Sequence, residues 1–291
     1  MISSETLFQA LTSGLLMGSA YALIAIGFTV VFGVMRIVNF GHGHLVMAAM
    51  FASYALHRYV GLDPYVSAVL VFPAFIGLGA LLHRVVIVPI MDASHAAHML
   101  TTLGLLLVIE NAMNLIFGGD LRSVNTSLSG QSLILGGVAL PWTRLVAAAV
   151  SLIAIGGIWV GLKYTRFGTE IRAAADNRIG AMLVGVPIQR VFLRAFALAT
   201  ATAAVAGTIL VPFYLVNPFV GHDFMLKAFV IAIIGGLGSL PGALAAGLLV
   251  GLIEAAGSVF LTASLGNALV FGLLMIMLLV RPSGLFGRVQ S

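Results

Sequence analysis

The stretch LFQALTSGLLMGSAYALIAIGFTVVFG, residues 7–33, has no charged side chain and is the segment that decides the fold. About 20 apolar residues in a helix cross the hydrocarbon core of a bilayer, so this segment is long enough to span it. A secretory signal peptide would have a basic n-region and a shorter apolar core, but the first basic residue of this chain is Arg36. We therefore expect a first membrane span that is retained.

The composition of the whole chain agrees with a membrane location. Of its 291 residues, 61% are hydrophobic and only 8% are charged, whereas soluble domains carry about 25% charged residues. So few charges exclude a soluble globule, and such hydrophobicity excludes a disordered chain. The absence of cysteine excludes disulfides and cysteine zinc sites. The net charge of +5 is spread along the chain without a basic stripe, so we expect no nucleic-acid partner.

Windows nearly free of charge follow one another along the chain. They cover residues 8–33, 40–57, 65–82, 98–117, 143–162, 194–216, 224–236, 241–260 and 264–280. The window 224–236 is too short to cross a bilayer unaided, and it stops at the sequence GGLGSLPG. We expect a helix break there at Gly235, Gly236, Gly238, Pro241 and Gly242. The pattern predicts an all-α fold, a polytopic transmembrane helix bundle of about 8–9 spans, one broken or re-entrant, in a single domain over residues 1–291.

The basic residues predict the orientation of this bundle. If the loop around 163–194 is cytoplasmic, alternation of the spans places ten basic residues inside and four outside. The inner ten are Arg36, Arg84, Lys163, Arg166, Arg172, Arg178, Arg190, Arg194, Arg281 and Arg288, and the outer four are Arg58, Arg122, Arg144 and Lys227. Because cytoplasmic loops carry the excess of Lys and Arg, we expect the N-terminus outside and the C-terminus inside, provided that 224–236 crosses.

Two loops stand out from the apolar pattern. Residues 118–142 are rich in glycine and serine and bear one basic residue, as an external loop should. Residues 163–194 hold six basic and two acidic residues and are the only stretch of ordinary soluble polarity. The second loop is therefore the best candidate for a surface that docks another protein.

Motifs for chemistry on the chain itself are missing from the sequence. A P-loop needs G-x-x-x-x-G-K-[ST], and neither lysine, Lys163 or Lys227, fits it. HExxH and GxSxG are absent, so a membrane enzyme has no support. His42 and His44 are spaced i, i+2 and should point to different sides of a helix, with no third ligand nearby in the sequence, so we expect no metal. The simpler interpretation is a helix start at the cytoplasmic interface, capped by Asn39.

Two carboxylates fall within predicted spans. Glu110 lies in the fourth window and Glu254 in the eighth. A carboxylate at membrane depth is costly, so it either faces a cavity or a partner, or sits near the outer interface where the cost is small. Asn111, beside Glu110, either lines a polar path or joins helices by hydrogen bonds. Glycines that recur at helical spacing, such as Gly14 and Gly18 or Gly247 and Gly251, indicate tight helix packing.

Five segments, in order along nearly the whole chain, carry a family resemblance. They are ALIAIGFTVVFGVMRIVNFGHGHL (22–45), RFGTEIRAAADNRIGAMLVGVPIQRV (166–191), AFALATATAAVAGTI (195–209), AFVIAIIGGLGSLPGALAAGLLVGLIE (228–254) and LLVRPSGLFG (278–287). Together they resemble the LivH-type permeases of branched-chain amino-acid ABC importers. The resemblance implies a multi-pass permease subunit of the bacterial cytoplasmic (inner) membrane, with a periplasmic N-terminus, a cytoplasmic C-terminus and no catalysis of its own.

The resemblance also implies partners and roles for particular residues. The partners are a second, LivM-like permease, two ATPase subunits that use ATP, and a periplasmic substrate-binding protein, while this chain itself carries no cofactor. A cytoplasmic coupling helix within about 164–192 would dock the ATPase. The residues that match the family's docking motif there are Glu170, Arg172, Ala175, Asp176, Asn177 and Gly185.

The substrate and its path stay open at this point. The family segment NFAHG, followed by an acidic or small residue, reads Asn39-Phe40-Gly41-His42-Gly43-His44 here, and related permeases carry urea, amides or other small solutes. A stand-alone secondary transporter is the second class, because broken helices often mark binding sites. Substrate would pass by alternating access between this chain and its partner permease. The residues we expect along that path are Asn39, His42, Glu110, Asn111 and Glu254.

Overall fold

The computed structural model describes residues 4–260 and 262–287, and Arg288, counted above for the orientation, lies outside them. The described chain is a bundle of α-helices. Their bounds are α1 Ser4–Met35, α2 His42–Ala55, α3 Pro64–Leu82, α4 His95–Phe117, α5 Trp142–Tyr164, α6 Arg166–Asp176, α7 Arg178–Leu183, α8 Ile188–Leu210, α9 Val220–Gly235, α10 Leu240–Phe260 and α11 Ala263–Val280. The all-α, polytopic bundle predicted from the sequence is confirmed.

Six helical segments of the described chain are long and apolar enough to cross a bilayer. They are Glu5–Met35, Pro64–Ile90, His95–Phe117, Trp142–Tyr164, Ile188–Leu210 and Leu240–Phe260, and Leu265–Val280 is a shorter apolar helix. The windows 40–57 and 224–236 correspond to α2 and α9, which have 14 and 16 residues. The prediction of about 8–9 spans therefore exceeds the number of helices long enough to be spans, because α2, α9 and the described apolar part of α11 are too short.

Helix α1 forms the centre of the bundle, in contact with α5, α8, α9 and α10. Its closest neighbour is the antiparallel α10, which approaches α1 along a line of glycines. A Cβ atom at Gly18 would lie 2.7 Å from the carbonyl oxygen of Gly247, and one at Gly14 would lie 2.6 Å from that of Gly251. Such close backbone approach is how helices associate in lipid, where apolar side chains gain nothing by leaving the hydrocarbon. The predicted role of these glycines in packing is confirmed.

The two short helices α2 and α9 begin inside the bundle rather than at its surface. His42, the first residue of α2, donates from Nε2 to the carbonyl oxygen of Ile24, in the interior of α1, at 2.9 Å. In the first turn of α2, Gly43 lies against Gly221 and Met225 of α9. The first turns of the two helices therefore meet at a level well inside the 32-residue α1.

The prediction that Asn39 caps α2 is wrong. The residue before α2 is Gly41, and no side chain caps the first turn. Asn39 Oδ1 instead accepts a hydrogen bond from the Gly41 amide at 3.1 Å. This turn over 39–41 takes the chain back from the end of α1 into the bundle, so α2 also does not begin at an interface as expected.

The two ends of the bundle carry different structures. At one end the strands Ser132–Leu135 and Val138–Pro141 form an antiparallel hairpin, β1 and β2, in the loop that was predicted only as polar. Its turn is Gly136-Gly137, both with positive φ, as two-residue hairpin turns require. The Gln9 side chain of α1 binds the backbone of Ala139. At the opposite end, α6 follows the last turn of α5 and contacts α1, and α7 packs on α6 and α8.

A glycine-rich turn joins α9 to α10. Helix α9 ends at Gly235 and α10 begins at Leu240, while Gly236 and Gly238 have φ values of +97° and +89°. The amides of Leu285 and Phe286 donate to the carbonyl oxygens of Ile234 and Gly235 at 2.8 and 3.1 Å. The C-terminal segment thus satisfies carbonyl groups that the last turn of a helix leaves without partners. Pro241 lies in the first turn of α10, and Gly242 packs directly on Gly235.

Candidate translocation site

Glu110 of α4 lies between two histidines from two other helices. Its Oε2 atom is 3.0 Å from His44 Nε2 and 2.6 Å from His222 Nε2. The side chain of His44 is fully buried, that of Glu110 is 13% exposed and that of His222 is 49% exposed. The three residues, which we call the His–Glu–His cluster, therefore form a site that is enclosed on one side and open on the other.

The first turns of α2 and α9 bring the histidines to this position. His44 is the third residue of α2 and His222 the third of α9, and their rings meet edge to face with centroids 4.7 Å apart. Glycines permit the close approach, because a Cβ atom at Gly221 would lie 2.8 Å from the His44 ring. The free amides of a helix N-terminus carry partial positive charge, which favours an ionised carboxylate nearby. Two such N-termini meet beside Glu110.

The ion-pair partners of Glu110 in the described part of the chain are these two histidines, and no lysine or arginine pairs with it. A carboxylate within an apolar bundle is costly unless a charge or strong donors compensate it. Imidazole can do so as a neutral N–H donor, as a cation, or as one ligand of a metal that the carboxylate also binds. The arrangement therefore suits the binding of a cationic group or a metal ion.

The other residues expected along the path lie apart from this cluster. His42 faces α1, opposite to His44, as the i, i+2 spacing predicts, and is fully buried. Asn39 is buried in the turn before α2. Asn111 is exposed on α4 and donates from Nδ2 to the Leu107 carbonyl of its own helix at 2.8 Å. Of the five path residues, only Glu110 is thus part of the cluster.

Glu254 belongs to a second polar group, which includes Lys227 of α9. Lys227 Nζ donates to Glu254 Oε1 at 2.6 Å and to the Tyr21 hydroxyl at 2.8 Å, and it lies 4.3 Å from the centroid of the Tyr21 ring. The Lys227 side chain is 12% exposed. Lys227, which the orientation count placed among the outer basic residues, thus lies within α9 and is paired with a carboxylate inside the bundle.

The segment expected to dock an ATPase folds as two helices with different surroundings. In α6, Gly168, Ile171 and Ala174 are buried against the bundle. Glu170 lies 3.8 Å from Arg194 of α8, and Arg172 donates to the Leu162 carbonyl. Ala175 is half-buried and Asp176 is the last residue of α6. Helix α6 is therefore held against the membrane helices.

Helix α7 buries Ala181 against the bundle and exposes its other apolar side chains. Asn177 caps it, accepting at Oδ1 from the Gly180 amide at 2.8 Å, and Gly185 ends the segment with a φ of +85°. Between them, large apolar side chains are exposed, with Leu183 at 83% and Val184 at 79%. The others in this apolar face are Ile179 and Met182. The sequence analysis missed these four residues because it searched the loop for charge.

His222, His44 and Lys227 were also missed as partners of the two carboxylates. The partners of Glu110 come from helices far away in the sequence, so no local spacing relates them. One signal in the sequence could have indicated them. His44, His222 and Lys227 are polar residues that lie within an apolar window or near its start. In the described residues, His44, Glu110 and His222 form a group whose ligand atoms all lie within 4.8 Å of one another, so the expectation of no third ligand near His44 does not hold in space.

Comparison with known proteins identifies the relatives of this chain. Residues 10–279 match the family model described as "Branched-chain amino acid transport system / permease component". The chain is 32% identical to the high-affinity branched-chain amino acid transport system permease protein LivH of Salmonella typhimurium, over 97% of this chain and 96% of that protein. It is 30% identical to the corresponding permease protein BraD of Pseudomonas aeruginosa, with the same coverage.

Among solved structures, the fold is similar to a chain of PsaBC from Streptococcus pneumoniae in complex with Fab. The TM-score is 0.51 and the identity 15%, over 95% of this chain and 94% of that one. This likeness concerns the fold alone. The family match and the relatives extend over almost the whole sequence and describe a component of transport rather than an enzyme. The chain therefore belongs to the family of permease components of branched-chain amino acid transport systems.

Proposed function

We propose that this chain is a membrane-spanning subunit of an ABC importer for branched-chain or related small amino acids. It pairs with a second permease, receives substrate from a periplasmic binding protein and is driven by two separate ATPase subunits. The family match over residues 10–279 supports the transport role. The missing P-loop supports an external source of energy.

In this proposal the chain passes nine times between the two ends of the bundle. Helices α1, α3, α4, α5, α8, α10 and α11 each make one passage, and α2 and α9 make two more with the help of the non-helical residues before them. Irregular backbone is tolerated at membrane depth where it is buried in protein. The hairpin end is periplasmic, and the end with α6 and α7 is cytoplasmic, in agreement with the excess of basic residues there.

The observation that supports coupling to an ATPase is the exposed apolar face of α7. Leu183 and Val184 lie at the end of the bundle, beside a polar segment and outside the predicted hydrocarbon region. Exposed apolar patches rimmed by polar residues mark interaction sites. We place the ATPase contact on α7, with α6 as the lever that joins α7 to the membrane helices.

The substrate pathway runs past the His–Glu–His cluster. Broken helices that begin at membrane depth supply amide dipoles to substrate sites, and α2 and α9 have this geometry. The carboxylate of an amino acid matches the N-termini of α2 and α9. His42, Asn39, Asn111 and Glu254 stay predicted path residues that only a substrate-bound complex can test.

Reconstitution of the full transporter tests the coupling. Leu183→Asp should reduce ATP-driven leucine uptake and substrate-stimulated ATP hydrolysis at least about tenfold, because residues central to an interface cost about 2 kcal/mol or more when lost. The matched control is Ile134→Asp, an equally polar change at an exposed apolar residue of the opposite end. Unchanged uptake in the Leu183 variant would overturn the docking role of α7.

The same preparation separates the alternative functions. Uptake of urea or a short amide in place of leucine would keep the ABC role and change the substrate class. Uptake by the chain alone in liposomes, driven by a proton or sodium gradient, would instead support a secondary transporter. The proposal predicts that the chain alone moves no solute uphill.

A further inference from the structure

We propose that the His–Glu–His cluster is a binding site for a divalent transition metal ion such as Zn²⁺ or Co²⁺. The ligands are Nε2 of His44, a carboxylate oxygen of Glu110 and Nε2 of His222. Two histidines and one carboxylate, with one position left for water or substrate, are a donor set that suits these ions.

The distances fit an ion with little rearrangement. Zn²⁺ binds histidine nitrogen and carboxylate oxygen at about 2.0–2.2 Å, so tetrahedral ligands lie about 3.4 Å from one another. Here Glu110 Oε2 is 3.0 Å from His44 Nε2 and 2.6 Å from His222 Nε2, and the three ligand atoms all lie within 4.8 Å of one another. Both histidines thus need to move by less than about 1 Å to admit the ion.

The charge in the site also favours a cation. In the described part of the chain, no lysine or arginine pairs with Glu110, and its two imidazole partners bring no permanent positive charge to it. A divalent ion would supply the compensating charge in an apolar bundle.

The three ligands differ in mobility and access. His44 is fully buried and packs against Gly221, whereas the His222 side chain is 49% exposed and leaves a way for the ion to enter. Helix α4, which carries Glu110, buries only His98, Thr102, Leu105 and Leu106 among its 23 residues. A bound ion would therefore tie the least embedded of these helices to α2 and α9, and would hold the site in the conformation described here.

Cobalt titration of the purified full-length chain, without a histidine tag, tests the site. Co²⁺ bound by nitrogen and oxygen ligands absorbs visible light, and the spectrum reports the coordination. We expect one equivalent of Co²⁺ per chain, displaced by Zn²⁺. His222→Ala should weaken binding at least about tenfold, because the loss of even an outer-sphere partner costs 10- to 100-fold. His222 is half-exposed, so this variant keeps the fold.

The matched control is His95→Ala, which removes an exposed histidine at the start of α4. The ring of His95 contacts the ring of His98 on the same helix and is not part of the His–Glu–His cluster. It should leave the cobalt spectrum and affinity unchanged, and Glu110→Gln should abolish both. If no saturable spectrum develops, or if His222→Ala and Glu110→Gln bind as the parent does, the cluster is held by hydrogen bonds alone and the proposal is wrong. This readout needs no transport, so its outcome is independent of the proposed function.

Discussion

At the scale of single residues, the two membrane carboxylates have different surroundings. Glu254 is paired with Lys227, which also donates to the Tyr21 hydroxyl, whereas Glu110 is paired only with histidines among the described residues. Lys227 supplies a counter-ion for Glu254, so this group suits a structural role between α1, α9 and α10. Imidazole can donate a hydrogen bond, take up a proton or bind a metal ion, so the His–Glu–His cluster suits a binding role.

Lys227→Met should destabilise the protein by about 3 kcal/mol, because it leaves Glu254 without its cation in a partly buried site. The double variant with Glu254→Leu should recover much of that loss. Thermal unfolding in detergent measures both. Arg194→Met is the control, since Arg194 is 56% exposed and its pair with Glu170, at 3.8 Å, is worth below about 1 kcal/mol. Equal destabilisation by the two single variants would contradict the structural role of Lys227.

At the scale of elements, contact between α1 and α10 depends on the absence of side chains. A Cβ atom at Gly247 would lie 2.6 Å from that of Ala22, and the neighbouring atoms belong to the backbone of α1. The backbone of α1 cannot shift locally to make room. A side chain at position 247 would therefore move α10 as a whole. This is why glycine spacing correctly predicted tight packing before any partner helix was known.

Gly247→Ala should destabilise the bundle by about 1–3 kcal/mol through overpacking. Gly156→Ala in α5 is the matched control, because nothing lies within 4 Å of a Cβ there. Alanine is the better helix former by up to about 1 kcal/mol, so the control should be neutral or stabilising. Thermal unfolding distinguishes them, and the same sign for both variants would contradict the packing described here.

At the scale of the whole molecule, the two ends of the bundle are distinguished by the hairpin and by α7. The natural chain has no cysteine, so single cysteines can report which end faces which side of the membrane. Ile134 and Leu183 are suitable positions, because they are 72% and 83% exposed.

Ile134→Cys should react with a membrane-impermeant maleimide in intact cells whose outer membrane is permeable to the reagent. Leu183→Cys should react only after the inner membrane is opened, because the proposed orientation places the basic end of the bundle in the cytoplasm. Gel-shift labelling measures both. The reverse pattern would show that the orientation is inverted. Labelling of both cysteines in intact cells would contradict the proposal that the two ends face opposite sides of the membrane.

The parts of the fold that could be predicted are those set by short stretches of sequence. Long apolar windows gave most of the helices, and the glycine and proline cluster marked the turn between α9 and α10. Windows 40–57 and 224–236 were less accurate, since the depth at which α2 and α9 begin depends on their contacts with α1 and with each other. The hairpin was missed because its strands are short and lie in a polar loop.

The sequence alone determined that this is a membrane protein, because partition into lipid depends on local composition. It also determined that the chain belongs to a transport family, because the family's motifs are contiguous stretches of sequence. Only the tertiary structure decided which carboxylate meets which cation. His44, Glu110 and His222 lie on three helices, and Lys227 and Glu254 on two. Those pairings follow from the depth and rotation of packed helices, which are set by contacts between distant parts of the chain.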